Sequence, residues 1–117
     1  MVSLDVYRGI NRVLLVFAPS GEDPDYQHQI TSATDYQNEL TERDLIVRAF
    51  PADDLTADPE ASAFRDRYGV PADRFTAILI GKDGTEKIRR DEPILSDDLI
   101  STIDAMPLRR QEMDRKG

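Results

Sequence analysis

The stretch of sequence that decides the fold is Arg12-Val-Leu-Leu-Val-Phe-Ala-Pro-Ser20, in which residues 13 to 18 are all apolar. A continuous apolar run of this length is typical of a strand that is buried on both faces, at the centre of a mostly parallel sheet. An acidic turn follows, and Asp23-Pro24 then offers an N-cap acceptor and a proline suited to the first helical position. The segment therefore predicts a central strand that leads through a short turn into a helix.

The next elements are a helix, a second strand and a second helix. The first helix is predicted to bury a thin apolar stripe of Tyr26, Ile30, Ala33, Tyr36 and Leu40. The capping-box spacing of Thr34 and Gln37 predicts a kink or restart near that point. Leu45-Ile-Val-Arg-Ala-Phe50 reads as a strand, and its arginine favours a place near a sheet edge. Asp58-Pro59-Glu60 repeats the N-cap pattern, and Gly69 is placed to end a short helix between them.

The last third of the chain predicts a hairpin and a closing helix. Phe75-Thr-Ala-Ile-Leu-Ile80 is another apolar strand, and Asp83-Gly84 predicts a type I′ turn, with a slightly longer loop as the alternative. The returning strand from Thr85 to Arg90 is charged and suits an exposed edge. Ser96-Asp-Asp98 is expected to cap the closing helix. The predicted order is β-α-β-α-β-β-α, in one α/β domain that spans residues 1 to 117.

Composition narrows the classes of partner. The chain of 117 residues carries 15 basic and 23 acidic side chains, a net charge of -8, which disfavours nucleic acid and anionic lipid as partners. No apolar stretch reaches the roughly 20 residues that span a bilayer, so we expect no membrane insertion. We expect a soluble protein, cytoplasmic as written, or periplasmic or secreted if a leader was removed. The oligomeric state stays open.

The predicted order of elements is that of the thioredoxin fold, a three-layer α/β fold around a mixed four-stranded sheet. Phe17-Ala-Pro19 resembles the Phe-x-Pro that ends the matching strand of peroxiredoxins, where a threonine four residues and a cysteine seven residues after the proline form the peroxide site. In this chain those two positions hold Asp23 and Tyr26. Because the chain contains no cysteine, thiol-based oxidoreductase or peroxidase activity is excluded.

A closer resemblance is to an uncharacterised bacterial family, domain of unknown function 4174, whose members resemble peroxiredoxins but generally lack the catalytic cysteine. The resemblance implies the fold but no activity. It rests on five segments: Leu4-Asp-Val-Tyr-Arg-Gly-Ile-Asn-Arg-Val-Leu-Leu-Val-Phe-Ala-Pro19, Glu42-Arg-Asp-Leu45, Arg74-Phe75, Leu79-Ile-Gly-Lys-Asp-Gly84, and Ile103-Asp-Ala-Met-Pro107 with the arginines and Gln111-Glu-Met113 after it.

Two functions from different classes follow. The first is a redox-inactive binding module for an unknown protein or peptide, and the alternative is an enzyme with non-cysteine chemistry in the inherited pocket. The side chains expected around that pocket are Pro19, Ser20, Asp23, Tyr26 and Arg74. Glu22, Asp23 and Asp25 would repel an anion there, and we expect Arg74 to pair with this acidic turn. We expect no cofactor and no metal, because the single histidine, His28, has no cysteine or second histidine to complete a zinc site.

The C-terminal segment from residue 107 to 117 is basic and poor in large apolar groups. We therefore predict a flexible tail. In the alternative, the tail lies across the acidic N-terminal half of its own or a neighbouring molecule, and Leu108, Arg109 and Arg110 dock a partner when it is released.

Overall fold

A mixed sheet of four strands forms the centre of the fold in the computed structural model, which describes residues 7–52, 61–71 and 73–116. The strands are β1 (Arg12–Ala18), β2 (Leu45–Pro51), β3 (Thr76–Ile80) and β4 (Glu86–Arg90). Their spatial order is β2-β1-β3-β4. β1 is parallel to β2, whereas the pairs β1 with β3 and β3 with β4 are antiparallel. The predicted arrangement, with the two apolar strands in the middle and the two charged strands at the edges, is confirmed.

Helices cover both faces of this sheet. They are α1 (Pro24–Asp35), α2 (Gln37–Glu42), α3 (Ala61–Tyr68), α4 (Ser96–Asp104) and α5 (Pro107–Lys116). The chain leaves α1 at Tyr36 and restarts as α2, close to the restart that the sequence predicts near Thr34. The predicted cap Asp58-Pro59-Glu60 lies outside the described residues. No helix in the described part of the chain has the length and apolar character needed to cross a lipid bilayer.

Two apolar cores result from the alternation of side chains along β1, of which every residue is buried. Leu14, Val16 and Ala18 face α1, α2 and α4, whereas Val13, Leu15 and Phe17 face α3. On the α3 side, Phe17, Phe50 and Phe64 stack in a row with ring centroids 5.3 Å apart. This three-layer arrangement is the thioredoxin-like fold that the sequence predicts.

The inward face of α1 is more polar than its sequence pattern predicts. Its fully buried residue is Gln29, whose Nε2 donates to the carbonyl of Ile94 at 2.8 Å and whose Oε1 accepts from the N–H of Ile94 at 2.7 Å. Tyr36, predicted in the apolar stripe, is exposed instead. The first helix is therefore attached to the segment before α4 by hydrogen bonds as well as by apolar packing.

The start of α4 differs from the predicted cap for the same reason. Ser96 is the first helical residue, and its Oγ donates to the carbonyl of Ser32 at 2.9 Å. The N-cap residue is Leu95, which has no side-chain cap. The serine expected to satisfy its own helix thus joins α4 to α1.

The β3–β4 hairpin uses the longer loop that the sequence left open. Gly84 has a φ of +81°, but Asp83 does not have the positive φ that a type I′ turn would require. Gly81 donates its N–H to the carbonyl of Thr85 at 3.0 Å, which closes a loop of three residues. The Oδ1 of Asp83 accepts the N–H of Thr85 at 3.0 Å. The loop places Lys82 at the end of the sheet where β1 begins.

Candidate functional site

The acidic turn after β1 is where the sequence resemblance would put the peroxiredoxin sulfur. Asp23 is the N-cap of α1, and its Oδ2 accepts the N–H of Tyr26 at 3.1 Å. Ser20 and Glu22 are also joined, because the Oγ of Ser20 accepts the N–H of Glu22 at 3.3 Å. Pro19 and Ser20 are half-buried. The turn thus holds the carboxylate of Asp23 against the positive end of the helix, where an anionic ligand would otherwise bind.

The structure brings together only part of the predicted pocket. Asp23 and Tyr26 lie side by side, and the half-buried ring of Tyr26 packs against the core on the α1 side of the sheet. Arg74 lies exposed in the turn before β3, and it forms no ion pair with any carboxylate in the described ranges. The predicted contact of Arg74 with the acidic turn is therefore absent among these residues. None of the three grooves described below includes Tyr26 or Arg74.

Restoring a sulfur at this turn is not expected to restore a reactive thiolate. In Tyr26→Cys, the carboxylates of Glu22, Asp23 and Asp25 oppose ionisation, so the pKa of the new thiol should be at or above its ordinary value of about 8.5. The rate of alkylation against pH measures that pKa, because the chain has no other cysteine. An apparent pKa well below 8 would mean that the turn is still electropositive.

A groove of about 390 Å³ runs between the first two helices and β2. Its floor is apolar and its rim is polar. It is lined by Ile30, Ala33, Thr34, Gln37, Leu40, Thr41, Leu45, Ile46 and Val47. Leu40 and Leu45 are buried at its base, whereas Thr34, Gln37 and Thr41 are exposed. The kink at Tyr36 turns α2 away from the line of α1 and leaves this space beside the sheet.

Within the described ranges, the strand beside this groove has one unpaired edge. Asp44 accepts the N–H of Arg12, and Ala52 donates to the carbonyl of Ala18, both at 2.8 Å, so the even-numbered residues of this segment direct their backbone groups towards β1. The backbone groups of Leu45, Val47 and Ala49 consequently point away from the sheet. Because β2 is an edge strand, these groups are free to pair with another extended segment.

A smaller groove of about 280 Å³ lies between α1 and the start of α4. It is lined by His28, Thr31, Ser32, Asp35, Tyr36, Leu95, Ser96 and Asp97. Its two serine hydroxyls are 2.9 Å apart and are occupied with each other and with backbone groups. His28 is exposed. Within the described ranges, no group of three or more histidine, cysteine, aspartate or glutamate side chains is arranged to hold a metal ion.

A cluster of ion pairs lies at the other end of β1, where α5 packs against the sheet. We call it the charge cluster; it consists of Arg12, Glu42, Arg43, Asp44, Lys82, Asp104, Arg109 and Glu112. Arg12 and Ala18 are six residue steps apart along β1, so the cluster is about 20 Å from the acidic turn. The segment from 107 onwards, predicted as a flexible tail, is thus helical from Pro107 to Lys116 and attached by charges.

The attachment of α5 depends on two of its side chains. Glu112 accepts from Nη1 and Nη2 of Arg12 at 3.3 and 3.4 Å and from Nζ of Lys82 at 2.6 Å. Arg109 is buried, and its guanidinium lies 3.2 Å from Asp104 and 3.5 Å from Glu42. Arg110 is exposed, and the side chain of Leu108 lies outside the described part of the structure. The contact of Arg109 with Glu42 joins α5 to the acidic N-terminal half of the same molecule.

The two carboxylates at the centre of the cluster are held in their ionised form. The hydrogen bond from Arg43, followed by that from Arg109, keeps the pKa of Asp104 below its ordinary value of 3.8 despite partial burial. Burial raises the pKa of Glu112, but the hydrogen bonds from Lys82 and Arg12 outweigh it and hold the pKa below 4.5. Both carboxylates therefore stabilise the folded chain as anions.

The lowered pKa values of these carboxylates predict the direction in which the free energy of unfolding changes with pH. A carboxylate with a lowered folded pKa contributes fully above its unfolded pKa, near 4.5 for Glu112, and the contribution is lost as pH falls through the folded value. The free energy of unfolding should therefore decrease below about pH 5. Urea unfolding at pH 7, 5 and 3 tests this, and Glu112→Gln should lose less stability over that range than the native chain. An equal loss of stability in both proteins would show that Glu112 does not contribute to the destabilisation at low pH.

Sequence reasoning missed the charge cluster because nothing in the spacing of charged residues shows that they meet in space. One signal was present. Each member lies in a segment on which the family resemblance rests, whereas only Pro19 and Arg74 of the predicted pocket do so. A lone arginine at the head of an otherwise apolar strand, as at Arg12, also requires a buried partner.

Comparison with known proteins gives a family and a fold. A model of the family described as Domain of unknown function (DUF4174) matches residues 3–112. No curated protein matches the chain by sequence. The fold is similar to that of reduced Plasmodium vivax 2-Cys peroxiredoxin, with a TM-score of 0.72 and 15% identity over 97% of this chain and 85% of that chain. Plasmodium yoelii thioredoxin peroxidase I gives a TM-score of 0.68 and 17% identity over 96% and 80%. At these identities the likeness shows the fold alone.

Proposed function

The chain belongs to the DUF4174 family, and from that premise we propose that it is a redox-inactive thioredoxin-like module that binds an extended protein segment along β2. Thiol chemistry is excluded because no cysteine is present. The observation that carries the proposal is the groove of about 390 Å³ beside the unpaired edge of β2.

Strand addition supplies both affinity and selectivity in such a geometry. An incoming strand would pair with the outward backbone groups of Leu45, Val47 and Ala49, and main-chain hydrogen bonds would hold it in register. Alternate side chains of that strand would point towards α1 and α2, where the groove has an apolar floor at Leu40 and Leu45. The groove therefore favours apolar groups at every second position of the bound segment.

Charge favours basic side chains in the bound segment. Residues 24 to 51 carry five acidic and two basic side chains. The two basic side chains are engaged elsewhere: Arg43 is bound to Asp104, and Arg48 lies on the α3 side of the sheet, 5.5 Å from the ring centroid of Phe50. Of the five acids, Glu42 and Asp44 are paired in the charge cluster, which leaves Asp25, Asp35 and Glu39 to make this surface negative. The proposed partner is therefore a segment in which basic side chains accompany the apolar ones.

The alternative, an enzyme that acts in the inherited pocket, has less support. Asp23 already occupies the helix N-terminus through its hydrogen bond with Tyr26, and Arg74 lines none of the three described grooves. An enzyme there would need a carboxylate or phenol with a shifted pKa near a cavity. None of these three grooves is lined by Pro19, Ser20, Asp23, Tyr26 or Arg74.

The test uses a blocked eight-residue peptide in which lysine alternates with valine, and a second peptide in which glutamate replaces lysine. We expect the lysine peptide to bind at least tenfold more tightly. Thr34→Arg places a long side chain in the groove and should weaken binding about tenfold, which corresponds to ~1.4 kcal/mol. Thr31→Arg is the matched control, because Thr31 is exposed on the same helix but does not line this groove.

Three results would overturn the proposal. They are binding of neither peptide, equal affinity for the two peptides, and an equal loss in Thr34→Arg and Thr31→Arg. The last result would attribute the loss to added positive charge rather than to the filled groove.

A further inference from the structure

A third cavity, of about 150 Å³, lies between the β3–β4 loop and the first turn of α5. Three of the residues that line it are cations: Arg12, Lys82 and Lys87. The other lining residues are Gly81, Asp83, Met106 and Pro107, so the wall also carries one carboxylate, which pairs with Lys87. This cavity is separate from the groove beside β2 and is not used in the proposed binding of a peptide.

The cations of this region are buried more deeply than the carboxylates that face them. Arg12 is 0% exposed and Lys82 is 10% exposed. Their partners Glu112 and Asp44 are 20% and 48% exposed. Asp83, the partner of Lys87, is 50% exposed. Water screens exposed carboxylates strongly, so they compensate the buried cations only in part.

One half-buried carboxylate, that of Glu112, is also shared among several cations. Glu112 serves Arg12 and Lys82 through hydrogen bonds and lies 3.8 Å from Nη1 of Arg109. In the described part of the chain, the donors that are buried without a hydrogen-bond partner include Nε of Arg12, a residue that lines the cavity, and Nη1 of Arg109, which does not line it. A fully buried guanidinium with an unused donor at a cavity wall is a costly arrangement unless an acceptor can reach it.

We propose that this cavity binds a small oxyanion, the phosphate or carboxylate group of a ligand. A volume of about 150 Å³ is close to that of five water molecules at ~30 Å³ each, which is enough for such a group. The N-terminus of α5 adds the positive end of a ten-residue helix to the three cations. A side chain at Gly81 would displace Lys87, because a Cβ there would lie 2.6 Å from Cε of Lys87.

The proposal predicts opposite effects on oxyanion binding when the carboxylate of Glu112 or a cation of the wall is removed. Because Glu112 partly neutralises Arg12 and Lys82, Glu112→Gln should tighten oxyanion binding about fivefold. Lys87→Gln removes a cation from the wall and should weaken binding about fivefold. Lys87 is partly exposed and pairs only with Asp83, so this variant should fold normally. Arg90→Gln, on the same strand but outside the cavity, should leave binding unchanged.

The measurement is a titration of each protein with inorganic phosphate, and separately with succinate, at an ionic strength held constant with chloride. Saturable shifts of the amides of Gly81, Lys82 and Lys87 are expected with at least one of the two anions, and the anion that binds identifies the ligand class. The proposal is overturned by shifts no larger than those with chloride, or by equal affinity in the native chain and Lys87→Gln. It is also overturned if Glu112→Gln folds and binds more weakly.

Discussion

Glu112→Gln is expected to lower the free energy of unfolding by about 2 kcal/mol. Removing one partner of a buried ion pair costs about 3 to 5 kcal/mol, because the remaining charge is left without compensation. The expected loss is smaller here, since Glu112 is partly exposed and its cations keep other acceptors: Arg12 still donates to the carbonyl of Arg43 at 2.7 Å, and Lys82 still reaches Asp44. Glutamine keeps the shape of the side chain, so the loss reports charge rather than packing.

Urea unfolding at pH 7 measures the effect, and Glu92→Gln is the matched control. Glu92 is exposed in the segment between β4 and α4, so its replacement should change stability by less than about 0.5 kcal/mol. Equal, small effects of the two substitutions would mean that α5 contributes little to the stability of the domain. That result would restore the flexible tail predicted from the sequence.

Gln29→Ala is expected to cost about 3 kcal/mol. Gln29 and Ile94 are both fully buried, and the side chain pairs with the N–H and the carbonyl of Ile94. Truncation leaves both backbone groups without partners, at about 1 to 3 kcal/mol each, and adds a small cavity. Water entering that cavity would reduce the loss, which is why the expected figure is below the sum.

Gln111→Ala is the control for this substitution. Gln111 is exposed on α5, so the same change of side chain should alter the free energy of unfolding by less than about 0.5 kcal/mol. Thermal or urea unfolding of the two variants gives the comparison. A cost below 1 kcal/mol for Gln29→Ala would show that the hydrogen bonds between α1 and the segment before α4 do not hold the helix in place.

The sequence predicts the sheet well because β1 and β3 are apolar on both faces. An apolar run such as Val13 to Ala18 is stable only in the middle of a sheet that is covered on both faces, because there all of its side chains are buried. The charged strand Glu86–Arg90 must lie at the edge of the sheet, because only there can its side chains be solvated. For these elements, local composition determines position.

The interactions between distant segments could not be predicted in the same way. Gln29 resembles any polar helix residue until Ile94, 65 positions later, supplies the backbone groups that it satisfies. Arg109 and Glu112 resemble a solvated tail until Asp104 and Arg12 meet them. Of the predicted pocket, Asp23 and Tyr26 lie together, whereas Arg74 has no ion pair with the acidic turn among the described residues. Buried polar partners are a property of the tertiary structure.

The most direct test of the central claim is the map of backbone amide shifts on binding the peptide in which lysine alternates with valine. Strand addition predicts the largest shifts at Leu45, Val47 and Ala49, with smaller shifts at Thr34 across the groove. The amides from Ser20 to Tyr26 should move little. The largest shifts at Ser20 to Tyr26, with β2 unchanged, would contradict the claim and place the binding surface at the inherited pocket.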